Sequence, residues 1–197
     1  MKIVWLFTFL TGVVGTSGAD SRANPYDALP RAVSFVVKSL DVKDEAPLLP
    51  AQRSGTFGVP GGLDESPQLT WSKAPVGTKS FAVTMYDPDA PLPGGFWHWV
   101  VIDIPASVSE LSAGAGSADG RLLPPGARQL TNDARANRYI GAAPPSGTGR
   151  HRYFIVVHAL DVPHLEVPAN ASPAAVHAAL QGHTLGRAML IPYAESN

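Results

Sequence analysis

Glycine and proline, nineteen of each in 197 residues, limit what this chain can fold into more than any other feature. Proline locks φ and removes a backbone donor, and glycine weakens the interior of any regular element, so long helices have little room. Between these interruptions lie short runs rich in β-branched and aromatic residues. Residues 33–37, 80–86, 96–104 and 153–160 each read as a strand, and a long connection leads into Leu69-Thr70-Trp71. In 80–86, Phe81, Val83 and Met85 alternate with Ala82, Thr84 and Tyr86. Residues 96–104 are apolar on both faces except at His98 and Asp103, the pattern of a strand covered on two sides. The stretches 41–68 and 105–128 read as long, turn-rich connections. Helix is confined to the C-terminal part: Ser172 as N-cap, Pro173 in first position, 174–180 as the body and Gly182 as the stop. A second short helical turn follows over 184–190. The pattern predicts a mainly β fold, an antiparallel β-sandwich with short C-terminal helices.

The N-terminal residues stand apart. Lys2 precedes an apolar stretch over 3–14, and Ser17-Gly18-Ala19 supplies small residues for cleavage. This predicts a signal peptide over 1–19, cut between Ala19 and Asp20, since the apolar part is short for a spanning helix. An uncleaved anchor is the alternative. Residues 20–31 read as a loose arm, and 32–197 as a single domain long enough for a core. No other segment reaches membrane-spanning length. Lys2 is the one charge in 1–19, leaving 14 basic against 16 acidic residues, a net of −2. The basic residues form no stripe, so the electrostatic footprint of a nucleic-acid binder is missing. Without cysteine the fold must hold without disulfides, which suits a periplasmic or secreted bacterial protein.

Polar groups interrupt the apolar strands at three places: Asp87-Pro88-Asp89-Ala90-Pro91, Trp97-His98-Trp99 and His151-Arg152-Tyr153. Buried polar groups need partners, so these segments predict either internal hydrogen bonds or a ligand pocket. Strand alternation puts His151 and Tyr153 on one side and Arg152 on the other, with Asp89 or Asp133 as its partner. The same rule puts His98 opposite both indoles. Asp87 is placed to orient a histidine. In the segment 141–149, Pro144 and Pro145 carry no N–H, so amide donors for an anion would come from Gly141 to Ala143. Two bland alternatives exist: structural histidines, and a metal set of two histidines and a carboxylate. No Gly-x-Ser-x-Gly elbow, cysteine or adjoining serine supplies a nucleophile, which favours a binding protein over an enzyme. No cofactor is implied. His158, His164, His177 and His183 read as packing or surface residues.

With Ser66-Pro67-Gln68-Leu69-Thr70-Trp71, Pro75-Val76-Gly77-Thr78-Lys79-Ser80 and Asn132-Asp133, these motifs resemble the phosphatidylethanolamine-binding protein family, nearest its bacterial, Raf-kinase-inhibitor-like branch. The resemblance runs from about residue 57 to 190. It implies an antiparallel sandwich with an anion pocket at one end for phosphate, phosphorylethanolamine-like head groups or acetate-like anions. Its walls would be Asp87, Pro91, His98, Ala143, Pro144, His151 and Tyr153. Ala90–Pro91 is a candidate cis bond. One departure is Ala142-Ala143, where members often carry glycine or cysteine. Alanine tolerates positive φ poorly, which bears on the amide at Ala143. The expected function is an exported binding protein for a small phosphoryl or carboxylate anion. One alternative is an interaction module that modulates a protease or kinase-like partner, with export favouring an envelope protease. A weaker one is a metal-dependent hydrolase.

Overall fold

Alternating apolar side chains on Ser80–Asp87 give that strand two buried faces, and the molecule is built outward from it. The computed structural model describes residues 22–196; the expected signal peptide lies outside them. Among the described residues the chain forms, in order, β1 (Val33–Ser34), β2 (Val36–Lys38), β3 (Leu69–Ser72), β4 (Ser80–Asp87), β5 (Phe96–Pro105) and β6 (Glu110–Leu111). Then come β7 (Arg128–Gln129), β8 (His151–Arg152), β9 (Phe154–Leu160), α1 (Pro173–His183), β10 (Thr184–Leu190) and β11 (Tyr193–Ala194). A large sheet has the order β1-β10-β9-β4-β5-β7, a small one β2-β3-β6, and β11 pairs with β8.

The main core lies between the large and small sheets. Leu69, Trp71 and Leu111 from the small sheet meet Phe81, Val83, Met85, Trp99 and Val101 from the large one. The Trp71 and Phe81 rings pack edge-on, 5.3 Å apart. On the outer face of the large sheet, Val176 and Leu180 of α1 cover Ala82, Val100, Ile102 and Leu160. β4, β5 and β9 are thus buried on both sides, which is why their sequences are almost continuously apolar. The expectation of a mainly β sandwich holds.

Several details differ from the sequence reading. The pairing of named strands is antiparallel except for β1 with β10, which is parallel. Gly186 permits that close approach, because a Cβ there would lie 2.9 Å from the Val33 carbonyl oxygen and 2.8 Å from Pro75 Cγ. The second helical turn expected over 184–190 is instead β10, an interior strand between β1 and β9. Seven residues make a short, weakly cooperative helix, whereas a strand inserted there is paired on both edges and buries Ala188 and Leu190. There is therefore one C-terminal helix. Ser172 caps it, its Oγ accepting the Ala175 N–H at 3.2 Å, but the helix passes through Gly182 and ends at His183. The 105–128 connection contains β6. The described part of the N-terminal arm is docked, with Tyr26 buried and its ring 5.8 Å from that of Phe154. Ala90–Pro91 is trans, as are the other described peptide bonds.

Candidate functional site

The site begins with a break in strand alternation. Along the β4–β5 ladder Met85 faces Trp99 and Tyr86 faces Trp97, so His98 is an extra, unpaired residue on β5. Such a bulge turns neighbouring side chains to faces that alternation would forbid. Trp97 stacks on Tyr86 at 4.4 Å and lies 5.0 Å from His177 on the outer face, while Trp99 enters the inter-sheet core. The expectation that both indoles lie together opposite His98 is therefore wrong. Asn132 and Asp133 satisfy the irregular backbone: Asn132 Nδ2 donates to the His98 carbonyl at 3.1 Å, and Trp97 N–H donates to Asp133 Oδ2 at 2.8 Å.

His98 itself reaches Tyr153, their rings meeting edge-on at 5.2 Å. Its Nδ1–H donates to the Ile140 carbonyl at 2.9 Å, a tautomer that leaves Nε2 without a proton in the neutral ring. Burial holds its pKa down at about 4. Asp87 closes β4, and its Oδ2 lies 2.8 Å from His151 Nδ1, with both side chains almost fully buried. Asp87 Oδ1 accepts the Asp89 N–H at 2.8 Å. Burial raises the Asp87 carboxyl above its ordinary pKa, against the opposing pull of its hydrogen bond to His151. Tyr153 is pushed above the usual phenol value, first by burial and then by the neighbouring Asp87 carboxylate. On its other side His151 Nε2 lies 2.8 Å from Thr148 Oγ1, which pins the 141–149 segment over the ring.

Two of the three amides expected to serve as donors are already spent. Gly141 N–H donates to Asp64 Oδ1 at 2.7 Å and Ala142 N–H to the Gln52 carbonyl at 3.1 Å. Of the three, Ala143 N–H is the one with no protein acceptor among the described residues. Neither alanine has positive φ, so the departure from glycine introduces no backbone strain. Gly141 matters for another reason: a Cβ there would collide with the backbone of Arg53.

Asp87, Pro91, His98, Ala143, Pro144, His151 and Tyr153 all line one cavity of about 210 Å³. Phe57, Ala90, Leu92, Phe96 and Pro145 complete it; Ala90 and Pro145 stand in motifs named in the sequence, but none of the five was assigned to the pocket wall there. Phe57 comes from the long turn-rich connection, where nothing marks it as a wall. Thr148 and Asp64 were likewise missed, although Thr148 stands three residues before His151. Arg152 points away, as expected, and grips Asp89 with Nε and Nη2 at 2.9 Å each. Among the described residues no cluster of three or more His, Asp or Glu side chains could hold a metal ion, and no helix is long and apolar enough to cross a membrane.

Fold and site together define a mainly β, two-sheet protein with a small polar-floored pocket between the 87–91 turn and the 141–153 segment. The sequence profile of the phosphatidylethanolamine-binding protein family matches residues 38–194, and the chain belongs to that family. It is similar to the UPF0098 protein YbcL of Escherichia coli strain K12, 43% identical over 165 residues, covering 84% of this chain and 90% of that protein. A second relative from the same organism, UPF0098 protein YbhB, is 46% identical over 130 residues, 66% of this chain and 80% of its own. The crystal structure of E. coli YbcL superposes with a TM-score of 0.80 at 42% identity, covering 84% of this chain and 100% of that one.

Proposed function

We propose that this chain is an exported binding protein whose pocket captures a small phosphoryl or carboxylate group, such as that of a phosphorylethanolamine-like head group. The observation that carries the reading is the Ala143 N–H, without an acceptor among the described residues, on a residue that lines a cavity of about 210 Å³ together with His98 and Tyr153. Phe57, Leu92 and Phe96 would receive the less polar remainder of the ligand. Export rests on the charged, apolar and small-residue sequence of residues 1–19.

The proton balance of the pocket shapes the binding. Neutral His98 offers a bare Nε2, and the Asp87 carboxylate adds negative charge beside it. An oxyanion that contacts His98 Nε2 must therefore bring a proton or draw one onto the ring. Affinity is expected to rise as pH falls from neutral toward 5, with net proton uptake in calorimetry across buffers of different ionisation enthalpy. The direct test is an NMR titration of the exported chain with phosphorylethanolamine, following the His98 and His151 rings. Saturable shifts of both, lost in His98→Ala and His151→Ala, are expected. Silent rings at millimolar ligand would overturn the reading and turn the search to protein partners. Mass spectrometry of the exported protein should find Asp20 at its N-terminus.

A further inference from the structure

A second polar cluster lies on the outer face of the large sheet, beneath the N-terminal arm. Arg187 on β10 and His158 on β9 are directly opposed in the ladder. The Tyr26 ring covers them, its centroid 6.3 Å from that of His158 and 5.9 Å from that of His177 on α1. Tyr26, His158 and Arg187 are 6%, 1% and 8% exposed. Four polar atoms here, Tyr26 Oη, His158 Nδ1, His177 Nδ1 and Arg187 Nε, are buried without a well-formed hydrogen bond, although the Thr84 hydroxyl, 3.3 Å from His158 Nε2, also lies beside that of Tyr26. Orphans of this kind are rare in folded proteins, and four from mutually adjacent residues call for a ligand.

The charge decides its sign. Arg187 donates through Nη1 to the Pro30 carbonyl at 2.9 Å, and among the described residues no carboxylate pairs with it. A buried guanidinium without a counter-charge is costly, and water supplies hydrogen bonds but no charge. A groove of about 460 Å³ leads to Arg187 and Tyr26 between Leu29 and Met189. Asp27 and Arg31, both exposed on its lining, offset each other. Burial keeps His158 neutral, with its pKa down at about 3, so the cluster carries one positive charge and matches one negative charge.

We propose that Arg187, Tyr26, His158 and His177 form a second site, separate from the 87–153 pocket, that binds a small singly charged anion, either chloride or a carboxylate. The bound anion joins the N-terminal arm to the sheet. The test is to titrate the full exported chain with sodium chloride or sodium acetate. Sodium sulfate holds the ionic strength constant, because its dianion is mismatched to the single positive charge. The His158 and His177 ring signals are followed by NMR. Saturable shifts are expected with one or both anions, and they should persist in His151→Ala. Response to chloride alone identifies an inorganic ion, and response to acetate identifies an organic carboxylate. Tyr26→Phe keeps the packing but removes one donor, and should weaken binding about tenfold. Arg187→Met should abolish it. Rings unmoved by either anion up to physiological ionic strength, or a Tyr26→Phe midpoint equal to that of the parent, would overturn the proposal.

Discussion

Asp87 and His151 are each buried and each supply the other's partner, so removing one leaves the other exposed to the full cost of burial. His151→Ala strands a carboxylate, and about 3 kcal/mol of stability should be lost, read from urea unfolding near neutral pH. Adding Asp87→Ala to that variant should restore part of the loss, because the stranded charge is then gone. Strictly additive losses across the double-mutant cycle would show that the pair is not coupled. At this scale the sequence was informative about chemistry and poor about direction. Residue types named Asp87, His98, His151 and Tyr153, but alternation misplaced Trp97 relative to Trp99. The cause is the unpaired His98: a bulge depends on how β5 lies against β4, and one strand's sequence does not encode its partner's register.

Two elements hold the pocket in shape. The 87–92 turn is clamped from behind by the two-point grip of Arg152 on Asp89, a pair about one-tenth exposed. Asp89→Ala should cost about 3 kcal/mol and loosen the Pro91–Leu92 wall. Urea unfolding and anion affinity should therefore fall together, whereas lost stability at unchanged affinity would mean that the turn does not depend on this clamp. The 141–145 segment is held by Gly141 packed against the backbone of residues 53 and 54. Gly141→Ala would force the two segments apart at a cost of about 1–3 kcal/mol. The Ala143 N–H would be displaced with them, so calorimetry with phosphorylethanolamine should show weakened binding even where the protein still folds. Elements that rest on local chemistry were legible: the Ser172–Pro173 helix start follows from cap chemistry alone. β10 was misread because its conformation comes from β1 and β9 on its two edges, which its own seven residues do not reveal.

For the molecule as a whole, buried neutral histidines set the response to acid. His98 is held at about 4 and His158 at about 3, below the ordinary 6.5. An unfolded chain takes up protons near pH 6.5 that the folded chain refuses, so stability is complete above that value and falls as pH drops toward 4. His98 alone accounts for about 3 kcal/mol of this loss when its full shift is traversed. Urea unfolding between pH 7 and 4 should show the decline, and His98→Gln should flatten it. A slope unchanged in that variant would mean that His98 is protonated at its ordinary pH in the folded protein.

What the sequence determined by itself is the material of the protein. Short β-rich runs between glycines and prolines allow only a mainly β architecture, and the polar residues placed within those runs name the floor of the pocket. These are consequences of local conformational preference and of the cost of burying polar groups. Tertiary structure decided the parallel β1 edge, the insertion of β10, the bulge at His98 and the choice of Ala143 over Gly141 and Ala142 as the open amide. It also brought Phe57 into the pocket and assembled Tyr26, His158, His177 and Arg187 beneath the arm. Each of these depends on segments far apart in the chain meeting in one register, and a contact between two segments is a property of neither alone.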